Sequence, residues 1–146
     1  MMAALKLALA VVCGLVLGSA VNMALIMVSG HVIPPPAGAD MTTAEGIRAA
    51  LPQLEAKHFL FPFIAHAFGS LVGAFIATKI APLHKLVAAL IVGSFFFVGG
   101  VMAARMIPAP TWFIALDLVG AYFPFAFFGF ALAHARRGSA KGTGHQ

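Results

Sequence analysis

The sequence predicts an all-α, polytopic membrane protein: an antiparallel bundle of four transmembrane helices, with a short outer-surface helix in the first connection. Three observations predict it. The composition is 62% hydrophobic and only 9% charged over 146 residues, with a mean hydropathy of +1.01, and the apolar residues gather in long uninterrupted runs foreign to soluble domains. Four such runs, residues 5–33, 58–81, 85–107 and 112–134, each exceed the roughly 20 residues that a helix needs to cross about 30 Å of hydrocarbon. Lysine and arginine collect at alternate ends of these runs, as in a chain that weaves through a bilayer.

The first run starts like a signal peptide, with Lys6 ahead of "LALAVVCGLVLGSA". Apolar sequence then continues through "VNMALIMV", about twice the length of a signal h-region, so the run reads as an uncleaved span. Its Cys13 is the only cysteine, which excludes an intrachain disulfide, and it reads as a small buried residue. "PPP" at 34–36 ends this helix. In the connection that follows, Thr42 and Glu45 have the spacing of a capping box, so a short helix is expected from about Thr43. Ile47, Leu51 and Leu54 share one face of it, expected to lie on the membrane surface rather than to close the bundle as a lid.

The remaining runs are separated by short connections, which favour antiparallel neighbours. Within the fourth, Pro124 lacks an amide donor and frees the carbonyl of Gly120, which predicts a kink in a continuous helix. Residues 135–146 form a small, polar and basic end, expected to be disordered beside anionic lipid. Lys6, Lys79, Lys85, Arg136, Arg137 and Lys141 all fall on the side of the two termini. The first connection is slightly acidic and "PAPT" is uncharged, so both termini are expected in the cytoplasm.

Polar residues inside the runs identify a candidate site. At 100° per residue, His66 lies on a stripe of small residues with Gly69, Gly73 and Ala77, a pattern that lets another helix approach closely. Gly14 and Gly18 offer a similar surface in the first run. His66 must therefore face protein, where an imidazole needs a partner because an unsatisfied polar group in hydrocarbon costs several kcal/mol. Asn22, Asp117 and Arg105 ride on comparable faces, and Tyr122 lies near the centre of the fourth run. With His58 they are expected to form a polar pocket opening outward. Asp117 is the only acidic residue within any run, expected either to pair with Arg105 across the short third connection or to serve function directly.

Other chemistries find little support. The chain has no phosphate-binding glycine loop, no HExxH and no CxxC. His66 has no histidine at matching depth in another run, as bis-histidine haem ligation requires, and no metal or cofactor is expected. No nucleophile accompanies His66 and Asp117, so no enzymatic activity is expected either. The formal charge of +5 is scattered over the ends of the runs, a topology signal and not a nucleic-acid patch.

"VNMALIMVSGHVIPPPAG", "KHFLFPFIAHAFGSLVGAFIATKIA" and "PAPTWFIALDLVGAYFPFAFFG" resemble segments of a family of small, four-span bacterial inner-membrane proteins of unassigned function. The likeness runs from the first span to the fourth and leaves out both tails. It implies a bacterial membrane origin and four helices, and it carries over no catalytic residue. Two functions are expected to compete: an oligomeric solute or proton-coupled transporter or channel-like protein, and an accessory or scaffold subunit of a larger membrane complex. In either, the partners are the lipid bilayer and further copies or other membrane subunits.

Overall fold

The computed structural model describes residues 2–138, and every regular element among them is helical. In chain order these are α1 (Met2–Val32), α2 (Ala44–Ala50), α3 (Leu60–Ile80), α4 (Lys85–Met106), α5 (Thr111–Gly120) and α6 (Phe123–Gly138), with 3-10 turns at Leu51–Gln53 and Ala56–Phe59. Four stretches are long and apolar enough to cross a membrane: Met2–Val32, Ala56–Ile80, Lys85–Met106 and Thr111–Ala135. The helix α6 runs on into the stretch expected to be a disordered tail, and residues 139–146 lie outside the described residues.

The central helix is α3, against which α1, α4 and α6 all pack. Its contact with α1 is made by glycine. A Cβ placed on Gly14 would stand 2.5 Å from the carbonyl oxygen of Gly73, and one on Gly18 would stand 2.5 Å from that of Gly69. The two backbones therefore touch, and the pairing of 14 with 73 and 18 with 69 makes the helices antiparallel. Ala77 and Ala10, both fully buried, extend the seam toward Val92 of α4. On the other side of α3, Gly129 of α6 meets the backbone of Leu71 and Phe75, while Gly93 of α4 meets Ala126.

The interior is thus built from alanine and glycine, and the bulky apolar residues point outward. Leu9, Val12, Val16, Met27, Phe95, Val119 and Phe127 are all exposed. This is the reverse of a water-soluble bundle, whose long aliphatic side chains fill the core. Cys13 belongs to the same outer surface; it is exposed, not buried as the sequence suggested.

Two local features differ from expectation. The fourth run is not one kinked helix: α5 stops at Gly120 and α6 starts at Phe123, with Ala121 and Tyr122 between them. Pro124 is the reason, because it cannot donate to the carbonyl of Gly120 but fits well in the first turn of a new helix. In the first connection, the N-cap of α2 is Thr43, whose hydroxyl accepts from the Gly46 amide at 3.0 Å. Thr42 instead donates from its amide (2.8 Å) and hydroxyl (2.6 Å) to Asp40 Oδ1.

Candidate functional site

The break between α5 and α6 brings three polar side chains together. On a straight helix Asp117 and Tyr122, five residues apart, would point about 140° away from each other. At the break the Tyr122 ring turns inward, and its hydroxyl donates to Asp117 Oδ2 at 2.7 Å. From α3, His66 Nδ1 lies 2.8 Å and 3.0 Å from the two oxygens of the same carboxylate and 3.0 Å from the Tyr122 hydroxyl. A carboxylate only accepts, so Nδ1 carries the proton of this contact and the His66 Nε2 edge faces away from it. The Ser70 hydroxyl donates to the His66 carbonyl at 2.9 Å.

Burial ranks the three groups. Tyr122 is 1% exposed and Asp117 5%, whereas the His66 side chain retains 24% of its surface. The tyrosine fits because α4 presents Gly100 to it: a Cβ there would stand 2.5 Å from Tyr122 Cζ. Phe97 packs edge-on against the Tyr122 ring, with centroids 6.0 Å apart, and tilted against Phe123 at 5.4 Å. A glycine on one helix and a proline-induced break on another together seat the second donor of the buried carboxylate.

Two cavities meet at this cluster. The first, of about 390 Å³, lies toward the end that carries the first and third connections, with Asp117 in its wall. Its lining is mostly apolar, from Ile26 of α1 and Ile33 just beyond it to Ala103 of α4 and Ile114 of α5. Ile47, Leu51 and Leu54 also line it, so the face expected to rest on a membrane surface covers the mouth of the bundle as a lid would. Arg48 fastens this cover by donating from Nε to the Met106 carbonyl at the end of α4. The second cavity, of about 430 Å³, opens on the flank between α1 and α4 and is lined by Ser19, Asn22, His66, Phe96, Gly99 and Tyr122, among others. Gly100 borders both.

The residues expected to share one pocket are therefore divided. His66, Asp117 and Tyr122 meet. Asn22 lines the second cavity, and its Oδ1 is buried without a hydrogen-bond partner among the described residues. His58 lines the first, where its Nδ1 accepts from the Glu55 amide at 2.9 Å and its Nε2 stands 3.3 Å from the Pro34 carbonyl. Arg105 lies on the exposed side of α4 and lines neither cavity. The side-chain partner of the Asp117 carboxylate from another helix is His66, not Arg105. Arg105 is exposed on α4, whereas the Asp117 carboxylate is buried against α3, which counting along single helices does not reveal.

Gly99, Gly100 and Phe96 escaped the sequence reading, although "VGG" in the third run marks a place where a helix surface is cut away. Ser19 lines the same cavity as His66. No group of three or more His, Cys, Asp or Glu placed to hold a metal occurs among the described residues. Compared with protein-family models, with curated proteins and with solved structures, the chain matches none.

Proposed function

We propose that this chain is a small multi-pass protein of the bacterial inner membrane that moves a solute in exchange for, or together with, protons, and that it works as an oligomer. The observation that carries this reading is the His66, Asp117 and Tyr122 cluster, placed between two cavities near the middle of the Ala56–Ile80 span. A buried carboxylate shared by an imidazole and a phenol is expensive to keep in hydrocarbon, and ionisable groups at that depth commonly mark a proton or substrate path. An imidazole can also take a proton on one ring nitrogen and release it from the other, which suits a group with a cavity on one side and a carboxylate on the other.

The outward display of large apolar residues supports insertion in lipid, and the positive-inside rule supports its direction. Lys6, Lys79 and Lys85 lie at one end of the helices, the cytoplasmic end in this reading. The end covered by α2 then faces the outside, so the first cavity offers the external route to Asp117. An accessory or scaffold role has less behind it: Gly14, Gly18, Gly69 and Gly73, the small-residue surfaces such a role would use, are already occupied by each other within one chain.

The test is flux in sealed vesicles containing the purified protein, with a pH-sensitive dye inside. Wild type should move protons under an imposed gradient, and His66→Gln, which preserves size and hydrogen bonding but not titration, should abolish the pH dependence while the helical signal is unchanged. A silent His66→Gln would refute the transport reading and return the cluster to a structural role.

A further inference from the structure

We infer that the flank cavity between α1 and α4 is a binding site for a lipophilic ammonium: a protonated amine with an apolar body that arrives sideways from the bilayer. The inference rests on the membrane-spanning reading above and gives the transported solute a chemical class. Its first support is position. Ser19, Phe95 and Gly99 at the rim are exposed; Ser19 and Phe95 lie near the middle of their helices and Gly99 about two turns from the end of α4. A Cβ on Gly99 would meet nothing within 4 Å, so the opening faces whatever surrounds the bundle at mid-depth. That surrounding is hydrocarbon, which an apolar body crosses readily.

The second support is charge. No lysine or arginine lines the cavity. The charged and titratable groups that face His66 are Asp117 from α5 and Tyr122 from the break before α6; α1 contributes neutral Ser19 and Asn22, and α4 contributes phenylalanine and glycine. The local field is that of one carboxylate transmitted through the imidazole. A cation is attracted there, and an anion finds no counter-charge.

The third support is hydrogen-bonding capacity. With the proton of the neutral ring on Nδ1, against Asp117, the other ring nitrogen is an acceptor. Asn22 Oδ1 is a second acceptor without a donor, and rotation of its amide toward a donor in the cavity would satisfy it. Two acceptors beside Phe95, Phe96 and Tyr122 suit an ammonium group, which brings several N–H donors and is attracted to aromatic faces. Protonation of His66 would convert its acceptor edge into a donor of like charge, so proton and amine exclude one another. That exclusion is the elementary requirement for exchange.

The experiment measures binding rather than flux, using the purified full chain and tritiated phenylbutylamine. Competitors keep the same body and change the end group: phenylbutanol, phenylbutanoate and trimethyl(phenylbutyl)ammonium. Saturable binding of the amine is expected, with the alcohol and the trimethylated cation about tenfold weaker and the carboxylate not competing. Binding should weaken in acid, because a protonated His66 presents a donor where the neutral ring presents an acceptor. Gly99→Leu should fill the opening, and Asn22→Leu should remove an acceptor. Each is expected to lower affinity about tenfold or more without changing the unfolding midpoint. Absence of saturable binding, equal competition by carboxylate and amine, or unchanged affinity in Gly99→Leu would overturn the inference. Proton flux without amine binding would refute only this inference, and amine binding without flux would refute only the transport reading.

Discussion

Adjacent glycines of α4 should respond in opposite ways to the same methyl group. At Gly99 an added Cβ meets nothing within 4 Å, whereas at Gly100 it would stand 2.5 Å from Tyr122 Cζ and 2.9 Å from Cε2. Ordinary contact begins about 1 Å farther out than the first of these distances. The Tyr122 ring is 1% exposed and hydrogen-bonded to Asp117 at 2.7 Å, so it can yield only by giving up that bond. Overpacking costs about 1–3 kcal/mol, and loss of a hydrogen bond to a charged group about 1.5–3 kcal/mol. Helix propensity returns up to about 1 kcal/mol on replacing glycine with alanine. Gly100→Ala should therefore destabilise by about 1.5–5 kcal/mol, and Gly99→Ala should be neutral or stabilise by up to about 1 kcal/mol. Reversible unfolding in mixed micelles measures both. A cycle with Tyr122→Phe sharpens the test: the added Cβ would fall nearest of all to the Tyr122 hydroxyl, which a phenyl ring lacks together with its bond to Asp117, so the double variant should lose about 1 kcal/mol less than the sum of the singles. Equal effects at the two glycines, or strict additivity in the cycle, would refute the placement of Tyr122 against α4.

Other parts of the chain give independent expectations. Asp117→Asn should destabilise the same protein by about 2 kcal/mol, because it weakens the bonds to both His66 and Tyr122, while Arg105→Gln stays within about 0.5 kcal/mol; the double variant should be additive, and strong coupling would show that the two side chains meet. In the first connection, hydrogen bonds from the Thr42 hydroxyl and amide and the Thr43 hydroxyl hold the Asp40 carboxyl below its usual range. A depressed value means that its stabilisation is present above about pH 4 and is lost as pH falls through the depressed value, so the protection of the Gly46 amide against hydrogen exchange, taken relative to the intrinsic rate at each pH, should fall in acid in wild type and show no such step in Asp40→Asn. For topology, a reporter inserted near His84 should register as cytoplasmic and one near Gly38 as external, and the opposite result would invert the direction assigned to both cavities.

What could be read from the sequence depended on whether one helix sufficed to define it. The four long apolar helices are visible because the length of hydrocarbon to be crossed is a property of each run alone. The faces of His66 and Asn22 follow from angular counting, which also needs no neighbour. Partner choice does need one. Asp117 has Arg105 nearby in sequence and His66 fifty-one residues away, and only the packing of α3 between α4 and α6 decides for His66. Tyr122 was placed by depth but not by direction, because counting straight through Ala121 ignores the break before Pro124. The lid over the first cavity was equally hidden: the apolar face of Ile47, Leu51 and Leu54 can be counted, but the surface beneath it belongs to other helices.

The break and the glycines carry a common physical logic. An unbroken fourth helix would save backbone hydrogen bonds near the centre of the bundle, but it would aim Tyr122 away from Asp117 and leave the carboxylate to His66 alone. Two donors hold a buried carboxylate more firmly than one, and the second also fixes which way the imidazole ring lies. The geometry then has a consequence for any proton that enters. A proton reaching Asp117 from the first cavity weakens the hold on His66 Nδ1, while one reaching His66 from the flank strengthens it. In the proposed function the two cavities thus communicate through one shared carboxylate, with Gly100 in the wall of both. A structural ion pair would need no cavity on either side; this cluster has one on each.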